Sequence, residues 1–313
     1  MTAGRAAALV AAVALAGGVV RAQPPVVASG PTAGQPAPIA TIERHHYSIA
    51  ARIRPLLFFW IGRSGVGDAI ATRRVSPEET TYTLLIGSDP ERAPRRINRW
   101  GYIREDIRGA DAQLIGLMTQ SDEDSLEEAE ANVTKQSQGE HPFKIIRATV
   151  SGHQAESVVT SIDAPQNYSF RQVQEVLELA RREPPRAKPR VIRLPPGTRP
   201  GFLAALTDVM RPSTDRVEYV YHGRIYELRR TETRAVHDAR VLGTSYGPAV
   251  AADFTVTSQY DGEQFRFSMT FGTTGRLAQV PLTVSYRPRW WMEVNLTLDE
   301  RTGAPVSSEG AER

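Results

Sequence analysis

From Tyr47 the chain alternates: Tyr47, Ile49, Ala51 and Ile53 fall on one face of an extended segment, and Ser48, Ala50, Arg52 and Arg54 on the other. Similar strand-like runs follow at Ala69–Val75, Thr80–Ile86, Tyr102–Ile107, Gln113–Thr119, Phe143–Val150 and Glu156–Ile162. Turn chemistry separates them at Gly65-Val66-Gly67, Ser88-Asp89-Pro90 and Ser151-Gly152. The apolar run Leu56–Ile61 suits a buried strand. Short strands at this spacing predict an antiparallel meander rather than a doubly wound sheet.

Helical spacing is rarer. Ser169 with Gln172 matches a capping box, and Val173, Val176, Leu177 and Ala180 then repeat on one face, which predicts a helix over 170–182. A second helix is expected over 201–210, closed by Arg211-Pro212, and an acidic third over 122–131. Strands resume at Val217–His222, Arg224–Thr233, Asp253–Tyr260, Gln264–Phe271, Leu282–Tyr286 and Trp291–Leu298, with Asp261-Gly262 as a hairpin turn. The fold class expected is α+β: a mostly antiparallel β meander, curved sheet or half-barrel, with two to three helices packed on it.

Six prolines between Pro184 and Pro200 oppose regular structure and mark the expected domain boundary. The organisation read from the sequence is a signal peptide at 1–22, a disordered leader at 23–42 and a strand-rich N-terminal region at 43–183 ending in a helix. The proline-rich connection at 184–200 follows, then a helix plus antiparallel C-terminal region at 201–299 and a disordered tail at 300–313. The signal rests on Arg5, the small apolar run Ala6–Val20 and the Ala22-Gln23 cut site. It predicts a periplasmic or secreted bacterial protein. No later apolar run approaches the about 20 residues of a membrane-spanning helix.

The chain has no cysteine, which excludes disulfides, thiolate metal sites and cysteine nucleophiles. It carries 38 Lys plus Arg against 35 Asp plus Glu, and without Arg5 and Arg21 the balance is 36 to 35, so net charge gives no argument for nucleic acid. Lysines stand only at 135, 144 and 188, and the cationic surface is therefore nearly all arginine.

Candidate chemistry is sparse. The glycine-rich segment Trp60–Asp68 lacks the lysine of a P-loop, the spacing of a dinucleotide fingerprint and the last glycine of a nucleophile elbow, and reads as a turn between strands. His45 and His46 are adjacent on extended backbone and point to opposite faces, and the other histidines lack ligand spacing, so no metal and no cofactor is expected. The residue types of a hydrolase triad are present without a local signature, with Ser64, Asp68 and His153 the first group to examine. Arg92, Arg95, Arg96, Arg99 and Arg104, interleaved with Trp100 and Tyr102, form the densest basic and aromatic cluster, a candidate patch for an anionic partner, unless its charges pair with Glu91, Glu105 and Asp106. Tyr286-Arg287-Pro288-Arg289-Trp290-Trp291 is a second such cluster.

Ile61-Gly62 with Val66-Gly67-Asp68-Ala69 leading into alternating strands, the strand of Tyr219, Tyr221 and Gly223, and the late pairing of Val280-Pro281-Leu282 with the strand starting at Trp291 resemble the periplasmic lipoprotein-carrier-like proteins. That resemblance implies a curved antiparallel half-barrel holding acyl chains against helices. It carries over no binding residue. The first functional expectation is non-enzymatic binding of a lipid, another amphiphile or an envelope protein, with Phe59, Trp60, Phe254, Phe267 and Trp291 lining an apolar wall. The alternatives are a secreted hydrolase with a dispersed site and a structural or adaptor protein of the envelope.

Overall fold

The computed structural model describes residues 41–56, 59–93, 96–119, 141–183, 187–289 and 292–300. The expected signal, leader, acidic helix and most of the tail lie outside them.

Among the described residues nine strands precede the second helix in the chain: β1 Thr41–Leu56, β2 Phe59–Val75, β3 Thr80–Ser88, β4 Trp100–Arg108, β5 Asp111–Thr119, β6 Pro142–Ser151, β7 Gln154–Asp163, β8 Arg190–Arg193 and β9 Arg199–Pro200. Eight follow: β10 Arg216–Tyr221, β11 Arg224–Val236, β12 Arg240–Val241, β13 Thr244–Ser245, β14 Ala249–Ser258, β15 Gln264–Gly272, β16 Pro281–Arg289 and β17 Met292–Leu298. All but β12 and β13 join one long, curved, mostly antiparallel sheet in the order β8-β7-β6-β5-β4-β3-β2-β1-β17-β16-β15-β14-β11-β10-β9. The fold is thus the expected α+β meander. Strands from both sides of the proline-rich connection belong to this one sheet, and the connection itself contributes β8 and β9. Proline at 200 is tolerated because β9 is an edge strand, where no ladder donor is needed.

Among the described residues two helices accompany the sheet. Helix α1, Val173–Arg182, follows a single 3₁₀ turn at Phe170–Gln172. The Ser169 backbone N–H donates to Gln172 Oε1 at 3.2 Å, which is the backward half of the expected box. Val173, Val176 and Ala180 face Trp100, Tyr102, Leu117, Phe143, Ile145 and Ile162 on the outer face of β4–β7. At its far end Arg147 donates to the carbonyl of Ala180.

Helix α2, Phe202–Val209, carries no charge before Asp208, and nearly every side chain is buried. A helix apolar all round must be enclosed, and α2 lies in the main core with Tyr47, Leu84, Ile103, Met118, Tyr219, Leu228 and Phe254 of the surrounding strands. Burying its leucine, phenylalanine and valine side chains stabilises the fold by about 1.5–3 kcal/mol each. The far ends of the sheet come together around it. Val220 of β10 packs with Leu114 and Ala148 of β5 and β6, and Tyr260, after β14, lies 5.0 Å from the Arg190 guanidinium of β8 and 4.6 Å from that of Arg224.

Two local expectations fail. The glycine-rich segment is not a turn but part of β2, where the register against β1 jumps from Ile49↔Gly67 to Ala51↔Arg63, so Ser64–Val66 form a bulge. Gly67 is required there because a Cβ would stand 2.1 Å from the Gly87 carbonyl oxygen of β3. Nor is Leu56–Ile61 a buried strand. It spans the end of the β1–β2 hairpin, with Leu56 paired to Phe59 and Ile61 50% exposed. The segment has no glycine, asparagine or aspartate to announce a turn.

Candidate functional site

Parity along the strands decides which side chains can act. In β14–β17 and β1 the inner face is Phe254, Phe267, Val284, Leu296 and Ile49, all buried, and the outer face is polar. Phe254 and Phe267 stack with centroids 4.9 Å apart and planes 5° from parallel, inside the core. Of the other apolar candidates, Trp291 and the side chain of Phe59 lie outside the described residues.

Trp60 stands apart. It is half-buried near the end of the β1–β2 hairpin, and three guanidiniums approach its ring: Arg52 and Arg54 at 5.8 Å and Arg287 at 5.3 Å from the centroid. The register explains the convergence. Ile53 of β1 pairs with both Ile61 of β2 and Met292 of β17, and Met292 pairs with Arg289 of β16, so two hairpins end side by side. Glu293 meets Arg287 at 3.1 Å and Arg52 at 3.7 Å. A hydrogen bond from Asn295, then the two arginines, holds its carboxyl below the usual carboxylate range. Among the described residues Arg54 meets no carboxylate, and Arg63 nearby is exposed. Beside the cluster an open cleft of about 540 Å³ is lined by Glu263, Phe265 and Arg266 at the start of β15 and by Tyr286, Arg287 and Pro288 of β16.

The basic cluster of the first half is dispersed by the fold. Arg92 bridges Asp68 and Asp89 at 2.8 Å each, and Arg171 reaches Asp89 at 3.0 Å, which ties the start of α1 to the sheet. Arg104 pairs with Asp106 at 2.7 Å. Arg99 donates to the Asn98 carbonyl at 3.3 Å, and Arg96 sits exposed with φ 55°. Trp100 and Tyr102 are buried beneath α1, and Trp100 Nε1 donates to the Tyr168 carbonyl at 2.7 Å. Arg95 lies outside the described residues. The expected pairing therefore holds for Arg104 with Asp106, while Arg92 takes Asp68 and Asp89 instead.

The hydrolase trio does not assemble. The Asp68 carboxylate is engaged by Arg92 and stands 3.7 Å from His46 Nε2. Register carries the level of Asp68 through Gly87 and Trp100 to Phe143 on β6, whereas His153 is in the turn after that strand. That places His153 four strands and ten residues away, roughly 30 Å along the strand direction alone.

Two further features escape the sequence reading. A polar cleft of about 580 Å³ crosses β11 and β14–β17, lined by Asp253, Ser268, Ser285 and Asn295 beside Glu232 and Arg234. Glu232 has φ 33° at a β11 bulge. Second, Glu105 is 1% exposed and accepts from the backbone N–H groups of Leu203 at 2.8 Å and Ala204 at 3.0 Å, capping α2. Burial pushes its carboxyl up to about 7 against these hydrogen bonds. Its signal was parity, since Glu105 lies between Ile103 and Ile107 on the inward face of β4. His45 is likewise inward and burial lowers it to about 4, while His46 faces outward.

No helix among the described residues is long and apolar enough to cross a membrane. No family model, no curated protein and no solved structure matches the chain.

Proposed function

We propose that this is an exported, non-enzymatic binding protein of the bacterial envelope whose site is the paired end of the β1–β2 and β16–β17 hairpins, and whose ligand is an anionic amphiphile. Three arginines gathered on one tryptophan carry the reading. A guanidinium holds phosphate or carboxylate oxygens through a planar fork of donors, and an indole presents an apolar body with one polar handle. The adjacent cleft, with Arg266 and Arg287 on its wall, has room for a charged headgroup. Export is supported by the tripartite start of the chain at 1–22. The amphiphile agrees with what the resemblance to lipoprotein carriers implies, but it is placed outside the curved sheet, because α2 fills the interior.

Isothermal titration with a monomeric short-chain phosphatidylglycerol, and with the phosphatidylcholine of equal chain length, tests this. Saturable binding of the anionic lipid alone, weakened in Arg287→Gln, is expected. Equal binding of both lipids, or of neither, overturns the reading.

A further inference from the structure

We infer that the paired hairpin end docks this protein edge-on to an anionic lipid bilayer, with Trp60 and Ile61 entering the interface and the arginines gripping headgroups. The inference rests on the amphiphile reading above and names its partner.

Geometry supplies the first argument. Strand β2 meets β3 from Gly67 onward and Val66 still accepts from the Asp89 N–H, so Phe59–Arg63, beyond the bulge, run past that neighbour. Five residues of strand extend roughly 16 Å at about 3.3 Å each. The hairpin is therefore an arm along one side, supported on its other side by β17 through Ile53. A bulge at Ser64–Val66 sets where the arm leaves the sheet.

Chemistry supplies the second. Ile61 is among the few large apolar side chains exposed on the described surface, and it stands one residue from Trp60. Apolar groups at a projecting end, ringed by arginine, match the order of layers in a leaflet: aromatic at the interface, guanidinium at phosphate level, apolar side chain below. Arg52, Arg54, Arg63 and Arg287 set against Glu293 leave three positive charges at this end. Charge complementarity accordingly selects an anionic surface over a neutral one, with each arginine contributing about a fivefold gain in partition. Val191 on β8 is the stringent comparison, because it follows Arg190, which with Arg224 lies over the exposed ring of Tyr260, and there Arg224 is already paired with Asp261 at 2.8 Å.

A cysteine-free chain allows a direct test. Ile61→Cys and Val191→Cys are each labelled with an environment-sensitive dye and mixed with vesicles of phosphatidylcholine with or without phosphatidylglycerol. A blue shift is expected at position 61 only, on phosphatidylglycerol vesicles only, and largely but not wholly reversed by high salt. The Arg52→Gln/Arg54→Gln/Arg287→Gln variant should sediment with these vesicles at least tenfold more weakly, and Trp60→Ala should lose the residual salt-resistant part. No shift at 61, or equal shifts at 61 and 191, overturns bilayer docking. If the short-chain lipid still binds in that case, the amphiphile reading survives without the bilayer; if it does not, both fall.

Discussion

The carboxylate of Glu105 and the backbone N–H of Leu203, 98 positions apart in the chain, meet at 2.8 Å inside the core. A strand thereby caps a helix that has no capping side chain of its own, its N-cap being Gly201 at φ 101°. A Cβ on Gly201 would stand 2.3 Å from the Glu105 carboxyl carbon.

Because burial raises Glu105 from 4.5 to about 7, the native state holds its proton longer than the unfolded chain does. Its contribution is fully present below pH 4.5 and is lost as pH rises to about 7, by about 3 kcal/mol at most. Glu105→Gln should remove that downward slope. Urea midpoints across this range will show it, and an unchanged slope would mean that another group carries it.

His45 and His222 act in the opposite sense. Burial, then nearby arginines, lowers both from 6.5 to about 4, so they stabilise the fold above pH 6.5 and that contribution disappears as pH falls through 4. His45→Gln should therefore blunt acid unfolding. Imidazole resonances titrating near pH 4 in the native protein would confirm the cause, and a midpoint near 6.5 would refute it.

Phe254 and Phe267 are core residues before anything else. Either one changed to alanine should cost about 3–5 kcal/mol, with about 0.5–1.5 kcal/mol of coupling in a double-mutant cycle from their stacking. Binding of short-chain phosphatidylglycerol at temperatures where the variants remain folded should be unaltered.

Gly67→Ala should destabilise by about 1–3 kcal/mol or more, since the new methyl meets backbone that cannot yield. Gly62→Ala, on the same strand with only Arg52 Cγ at 3.5 Å, should stay within about 0.5 kcal/mol. Thermal melts of the pair isolate close strand approach from any general effect of losing glycine.

The sequence showed most strands and both described helices because alternation and helical spacing are local properties of a half-buried surface. Val173, Val176 and Ala180 could only line one side of a helix, and they do. What it concealed are relations between distant elements. Nothing near Glu105 names α2 as its partner, and nothing near Asp68 announces Arg92, which the densest basic cluster disguised as part of a binding patch. The end of the β1–β2 hairpin was hidden for a different reason. Turns are recognised by residues that accept unusual dihedral angles, and this one is apolar on both sides. A stretch of that kind reads as core until its neighbours are known to stop short of it, and Trp60 was accordingly placed on an interior wall rather than at an exposed end.

The pairing of β1 with β17 puts the first and last described strands at the middle of the sheet and leaves the middle of the chain, β8 and β9, at its edges. For a ribosome this is an awkward order. Strand β1 emerges with β2 to cover one side, but its other side waits for a partner some 240 residues later, which at about 5–20 residues per second is about 12–48 s of synthesis. Throughout that interval a strand sixteen residues long offers an open edge to any neighbouring chain. The sheet can therefore close around β1 only after the last strand has been made.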